Sequence, residues 1–290
     1  MSADLRVLDR SSLGKEFDLV SKLFHQVNRI IPPGQKVFSL APDCLVRDAI
    51  DQMDALGYSQ VPVVQDAEVL GVFSLRSFAS EAARSTLKDL NEQQCAPGDL
   101  RVDEFLEPFE FARVKEGMDR ALKLLNRDDG LLVGTPERLI GILTPMDFVN
   151  YLYDVASPFV MLSEIELAVR ELIRLVMDAD EIAEASRLSL KSAYGDESRV
   201  PTVLEEMTFD NYKSLVSHGK NWDKFQPVFG GARNRIGGKL KEIGEIRNAL
   251  FHFKREITIR DHQDLAGHRD WLLSKVKQAR KNTTTTRDQP

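Results

Sequence analysis

The chain predicts an α+β protein: a mixed, internally repeated N-terminal half followed by an all-helical bundle. Two observations carry this. The segment from Val61 to Ser74 aligns with Leu131–Thr144 at a constant shift of seventy residues, Gly71 meeting Gly141 and Phe78 meeting Phe148. From residue 157 onward, apolar side chains recur at three- and four-residue spacing and no strand-like alternation interrupts them. A length of 290 residues with 42% hydrophobic and 29% charged residues is ample for two or three packed units.

Along the chain, Phe17, Val20, Phe24, Val27 and Ile31 predict a helix from Glu16 to Ile30, closed by Pro32-Pro33-Gly34, so residues 1–33 form an N-terminal helix. The repeats occupy residues 34–155. Upstream of each duplicated strand pair, Asp48–Met53 parallels Asp119–Leu124 at a shift of seventy-one, so each copy reads helix, strand, turn, strand, helix. Residues 157–282 form the bundle, whose first helix is expected to start at Ser157-Pro158. A second helix opens at Asp180, shorter pieces lie between Pro201 and Asn221, and a further helix begins near Gly231. The tail 283–290 lacks apolar residues and is expected to be disordered.

The net charge of −6 hides an asymmetry. Between Arg233 and Asn282, thirteen Lys/Arg face six Asp/Glu, a local +7, which leaves −13 for the remainder. A polyanion is therefore expected at the C-terminal end, although scattered lysines also serve as a solvated helical surface. No apolar run approaches the roughly 20 residues that span a bilayer. Met1–Arg6 lacks the basic-then-apolar pattern of a secretory signal, and Cys44 and Cys95 have no metal-like spacing. A cytoplasmic protein without membrane partners or catalytic metal is expected.

The repeat carries a motif. Gly141-Ile142-Leu143-Thr144-Pro145-Met146-Asp147 closes the second copy, and Gly71-Val72-Phe73-Ser74-Leu75-Arg76-Ser77 stands at the matching place in the first. This arrangement resembles the CBS domain, two of which in tandem form a Bateman module. The resemblance implies a bound regulatory nucleotide, with adenine nucleotides such as ATP, ADP or AMP the expected ligands. The aspartate then holds the ribose hydroxyls, while the Thr hydroxyl and a helix N-terminus meet phosphate. It places the nucleotide on Thr144, Asp147, Phe111 and Leu131, with Ser74 and Arg76 of the first copy in reach. Thr144 and Asp147 also read as a helix cap, and both readings can hold together, while Arg76 reads equally as an exposed helix-start residue. Ser77 replaces the aspartate in the first copy, which puts a nucleoside site there in doubt.

The C-terminal region holds a second motif, Arg247-Asn248-Ala249-Leu250-Phe251-His252. Arg is a permanent, fork-shaped phosphate ligand, and His exchanges protons near neutral pH. Arg-Asn, three residues, then His resembles the signature of the HEPN superfamily, many of whose members are endoribonucleases acting as dimers with a composite cleft. The resemblance implies metal-independent RNA cleavage. His252 would serve as general base or acid at the ribose 2′-OH or the leaving 5′-oxygen. Arg247 would stabilise the phosphorane-like transition state, and Asn248 would orient the phosphate or the histidine. Five residues of helix turn by about 500°, which separates Arg247 from His252 by roughly 140° around the axis. Two chains meeting at this motif would close that gap, so a homodimer or higher assembly and an RNA substrate are expected partners. The domain pairing suggests a stress or anti-phage effector. The same residues also read as a C-terminal helix cap, and a non-catalytic nucleotide sensor whose helical domain binds a partner or RNA is the alternative.

Overall fold

The computed structural model describes residues 26–31, 35–84, 96–128 and 130–287. The chain divides into two compact units, 1–153 and 154–290.

In the first unit, helix α1 (Val46–Leu56) leads into an antiparallel pair, β1 (Gln60–Gln65) and β2 (Glu68–Ser74), followed by α2 (Leu75–Arg84). The second copy begins with a short strand β3 (Phe111–Ala112), then α3 (Met118–Asp128), β4 (Leu131–Thr135) and β5 (Arg138–Leu143). Helix α4 (Pro145–Val176) follows and runs on across the division into the second unit. The strand β3 lies parallel to β4, and the isolated parallel bridge between Leu40 and Val63 is its counterpart in the first copy. Each hairpin carries an irregularity at the same place, between Val63 and Val64 and between Val133 and Gly134. The duplicated pattern of residues thus yields a duplicated pleat, down to the bulge.

The two copies exchange pieces. The 3₁₀ turn Val27–Arg29 hydrogen-bonds to the second copy, Val27 N–H to the Glu116 carbonyl at 3.0 Å and Asn28 N–H to Val114 at 3.1 Å. Val27 and Ile30 are buried there among Ala121, Leu125, Leu131 and Leu143. Reciprocally, the turn Val102–Phe105 serves the first copy: Val102 N–H reaches the Cys44 carbonyl at 2.9 Å and Asp103 N–H that of Pro42 at 3.4 Å. Val102 and Phe105 pack among Val46, Met53, Val63 and Phe73. Each core is therefore closed by residues from outside its own copy, a requirement that binds the copies into one unit. A third apolar cluster, with Val64, Val69, Val72 and Leu132, seals them face to face.

The second unit is a helical bundle: the rest of α4, then α5 (Ala179–Tyr194), α6 (Phe209–Ser217), α7 (Trp222–Phe229), α8 (Arg233–Phe251) and α9 (Ile259–Arg287). Asp178 and Thr208 cap α5 and α6, each in a reciprocal box with the residue three positions on. Ile165, Leu172, Ile173, Tyr212, Leu215, Phe225, Leu240, Ile243, Leu265 and Leu272 are buried to completion and form one core. Burial of each such aliphatic side chain contributes about 1.5–3 kcal/mol, which is why spacing alone predicted these helices.

Three expectations need correction. The helix from Glu16 to Ile30 lies outside the described residues up to His25, and its described end is the 3₁₀ turn already noted, held by hydrogen bonds to the second copy. No helix starts at Pro158, which is buried inside the continuous α4. A proline there costs one intrahelical hydrogen bond, and the flanking apolar faces outweigh that loss. The tract Thr283–Thr286 is helical, because α9 extends to Arg287 with no Gly or Pro to stop it before Pro290.

Candidate functional site

The motif of the second copy sits where β5 ends and α4 begins. Thr144 is the N-cap and Asp147 answers it. The Asp147 carboxylate accepts from the Thr144 N–H at 2.8 Å and from its hydroxyl at 2.7 Å, both through Oδ2, while the Asp147 N–H donates to Thr144 Oγ1 at 3.3 Å. Capping uses a single carboxylate oxygen. The other, Oδ1, accepts no hydrogen bond among the described residues, and Asp147 lines a cavity of about 330 Å³ together with Gln35, Lys36, Phe38, Tyr58, Gln60 and Thr144. Two readings of this motif, cap and ligand site, are thus compatible in one side chain.

The opposite wall comes from the first copy. Phe38 and Tyr58 form a tilted aromatic pair with centroids 6.3 Å apart. Gln35 is fixed by its amide, which donates to the Ile142 carbonyl at 3.1 Å and accepts from the Ile142 N–H at 3.3 Å. That pairing requires Gly141, since a Cβ there would stand 2.7 Å from Gln35 Oε1. Lys36 is exposed at the cavity edge and supplies the cation of the lining. The site thus offers a flat apolar surface, a carboxylate oxygen and an ammonium, which suits a planar base, a sugar diol and an anion.

Of the residues the sequence pointed to, the cavity gathers Thr144 and Asp147 and leaves out four. Leu131 is fully buried in the core of the second copy, where it supports the sheet, and does not line the cavity. Phe111 packs with Phe109 and Leu139 in the cluster between the copies. Ser74 is buried and donates its hydroxyl to Glu107 Oε1 at 2.6 Å, and Arg76 lies 3.4 Å from Glu107 Oε2. Arg76 is thereby engaged by a carboxylate of its own chain and is not poised towards the Asp147 cavity. Lys36, Phe38 and Tyr58 escaped sequence reading because they stand at least 89 positions before Asp147 and belong to the other copy. The signal that would have found them is the exchange itself, which brings the segment before the first copy onto the second.

In the second unit, Arg247 and Asn248 are half-buried on α8, and His252 is its exposed C-cap. The Arg247 guanidinium donates to Asn248 Oδ1 at 3.3 Å and lies over the Phe251 ring, 5.1 Å from its centre. It opens on a cavity of about 240 Å³ with Phe159, Glu166, Arg170 and Phe251 on its walls. Glu166 there is paired with Arg170, which also donates to the Tyr212 hydroxyl at 2.7 Å. His252 is not among the lining residues, and among the described residues no hydrogen bond joins it to Arg247. The following residue, Phe253, has a left-handed backbone (φ 51°) and a largely exposed ring. Within one chain the structure brings Arg247 and Asn248 together and leaves His252 apart, as the helical geometry required.

Among the described residues no group of three or more His, Cys, Asp or Glu is placed to hold a metal ion, and no helix is long and apolar enough to cross a membrane.

Comparison with known proteins locates the first unit. Residues 27–84 match the family model of the CBS domain. No curated protein matches the chain. Among solved structures, a hypothetical conserved protein from Geobacillus kaustophilus is 19% identical, covering 44% of this chain and 96% of its own, with a TM-score of 0.38. CBSX2, solved in complex with AMP, is 23% identical over 45% of this chain and 98% of its own, with a TM-score of 0.39. A CBS-domain containing protein from Agrobacterium tumefaciens is 21% identical over 41% and 85%, with a TM-score of 0.34. At these scores the likenesses carry no argument about this chain. The family match over residues 27–84, lying on the duplicated strand–helix pattern, is the firmer ground: the N-terminal unit contains a CBS domain.

Proposed function

We propose that the N-terminal unit senses an adenine nucleotide in the cavity beside Asp147, and that the C-terminal unit is a HEPN-type, metal-independent endoribonuclease controlled by that ligand. The observation that carries the first part is the divided duty of Asp147: Oδ2 caps α4, Oδ1 accepts no hydrogen bond among the described residues, and the residue lines a cavity walled by Phe38, Tyr58 and Lys36. A ribose diol donates two hydrogen bonds to such an oxygen, the base lies against the aromatic pair, and phosphate meets Lys36.

For the second part, the support is Arg247 facing a cavity with no carboxylate bonded to it among the described ion pairs, on the basic part of the chain. His252 would take the proton of the ribose 2′-OH or return one to the leaving 5′-oxygen, and Arg247 would hold the charge that builds on phosphorus. Because Arg247 and His252 of one chain do not meet, two chains must contribute to a working cleft. The nucleotide can govern cleavage only by binding two arrangements of the protein with unequal affinity. A sensor joined to an RNase suits a stress or anti-phage effector in the cytoplasm.

One observation favours a second reading, a nucleotide sensor whose helical unit binds a partner or RNA without cutting it. Arg247 already has two partners in Asn248 and Phe251, the arrangement expected of a helix-end structural residue. The test is incubation of the purified protein with labelled RNA and a nucleotide panel in EDTA, with analysis of product ends. Products ending in 2′,3′-cyclic phosphate, lost in R247A and H252A, support the nuclease. Intact RNA under every nucleotide, with ligand binding retained, supports the second reading.

A further inference from the structure

The first copy has a place equivalent to the Asp147 cavity, and its occupant belongs to the chain. At the start of α2, Ser74 and Ser77 form the counterpart of the Thr144–Asp147 box, with Ser77 N–H donating to Ser74 Oγ at 2.9 Å and Ser74 N–H to Ser77 Oγ at 3.1 Å. Glu107 stands over them. Its backbone pairs with Val72 in both directions, at 3.1 and 3.0 Å. The Gln35 side chain makes the same two bonds to Ile142, the residue that aligns with Val72. Gln35 and Glu107 therefore hold corresponding places, and they differ in where their side chains go. The Gln35 amide is spent on the sheet, leaving the space beside Thr144 open. Because Glu107 pairs through its backbone, its carboxylate is released to turn onto the motif. There it accepts the Ser74 hydroxyl at 2.6 Å and lies 3.4 Å from the Arg76 guanidinium.

A hydroxyl and a guanidinium at the head of a helix are the donors an incoming phosphate would use. Here a carboxylate already accepts the hydroxyl and pairs with the guanidinium, tethered by two backbone hydrogen bonds and therefore at high effective concentration. A diffusing nucleotide would have to displace it, and would then leave its negative charge unpaired beside the ligand's own. More acid lies close by: Asp128 is near enough to Arg76 to interact with its charge, and Arg127, the neighbouring cation, is held by Asp128 and Glu110.

We infer that Glu107 is a built-in anion that keeps the first copy's place filled, so that each chain takes one nucleotide, beside Asp147, and not two. This rests on the nucleotide reading for the open place and on geometry alone for the closed one. The test is binding stoichiometry of the full chain by calorimetry, with AMP and with inorganic phosphate as probes. The parent is expected to take one equivalent of AMP per chain, with an affinity that D147A weakens about 10- to 100-fold. Removing the carboxylate, in E107A or in the near-isosteric E107Q that keeps the backbone pairing, is expected to add a second anion equivalent, of AMP or phosphate, that persists when D147A is combined with it. Two equivalents on the parent, or no gain in either Glu107 variant when both melt as cooperatively as the parent, would overturn the inference. A parent that binds no AMP while the Glu107 variants gain phosphate would sink the nucleotide reading and leave the closed place standing.

Discussion

Thr144–Asp147 in the first unit and Thr258–Asp261 in the second are the same device built twice. In the second, Asp261 Oδ2 accepts from the Thr258 N–H and hydroxyl, both at 2.7 Å, and the Asp261 N–H returns to Thr258 Oγ1 at 3.2 Å. These distances match the first box to within 0.1 Å. The boxes part company in what answers the remaining oxygen. Arg255 grips the Asp261 carboxylate with both arms, Nη1 to Oδ2 at 2.5 Å and Nη2 to Oδ1 at 2.8 Å, and the residue is buried. Asp147 has no such partner among the described residues and looks into a cavity. A Thr-x-x-Asp sequence thus specifies a helix start in both units, and only in the first does the chain leave the second oxygen unanswered, as the proposed ligand site requires.

The largest expected effect separates the two boxes by ligand. D147A should weaken nucleotide binding by about 10- to 100-fold, the worth of hydrogen bonds to a charged acceptor, while D261A should leave it unchanged. Equal affinity in D147A and the parent would mean that Asp147 is only a cap. Stability should separate them the other way. D261A loses a cap and strands Arg255, for about 1–3 kcal/mol in denaturant unfolding, and D147A loses the cap alone, about 1 kcal/mol.

Acid sharpens the contrast. The Arg255 guanidinium, helped by Thr258, holds the Asp261 carboxyl far below the usual carboxylate range. A group depressed in the folded state stabilises the fold above its unfolded value, near pH 4, and that contribution is lost as pH falls through the folded one. The parent should therefore lose Asp261's contribution progressively below about pH 4, and R255A should lose it at a higher pH. Coincident acid-unfolding curves would show that the pair contributes nothing. The smallest effect concerns the two motif glycines. A Cβ at Gly141 meets the mobile end of Gln35 at 2.7 Å, whereas at Gly71 it meets the Glu107 carbonyl oxygen and Leu106 Cβ at 3.1 Å. G141A should displace Gln35 and weaken ligand binding a few-fold with little loss of Tm, and G71A should lower Tm by a few degrees.

Much of this was legible in the sequence. The duplicated strands were readable because Gly71/Gly141 and Phe78/Phe148 keep a constant offset, and the bundle because Ile236, Leu240, Ile243 and Leu250 hold helical spacing. The separation of Arg247 from His252 followed from the turn per residue of a helix. Thr144 and Asp147 were readable from the motif. The cavity's other wall was not, because Lys36, Phe38 and Tyr58 carry no motif and reach Asp147 only through the exchange between copies. Nor was the exchange itself, since the turns Val27–Arg29 and Val102–Phe105 are too short to leave a periodic trace. Pro158 misled because local preference favours a helix start there, and packing along α4 overrode it.

The reciprocal loan of Val27–Ile30 and Val102–Phe105 makes neither half of the first unit self-sufficient. A nick between residues 85 and 95 should leave two fragments that stay clasped, and each fragment, once parted, should collapse until its mate is returned. A duplicated segment wired in this way cannot shed one copy and keep the other, because each copy completes its neighbour's core.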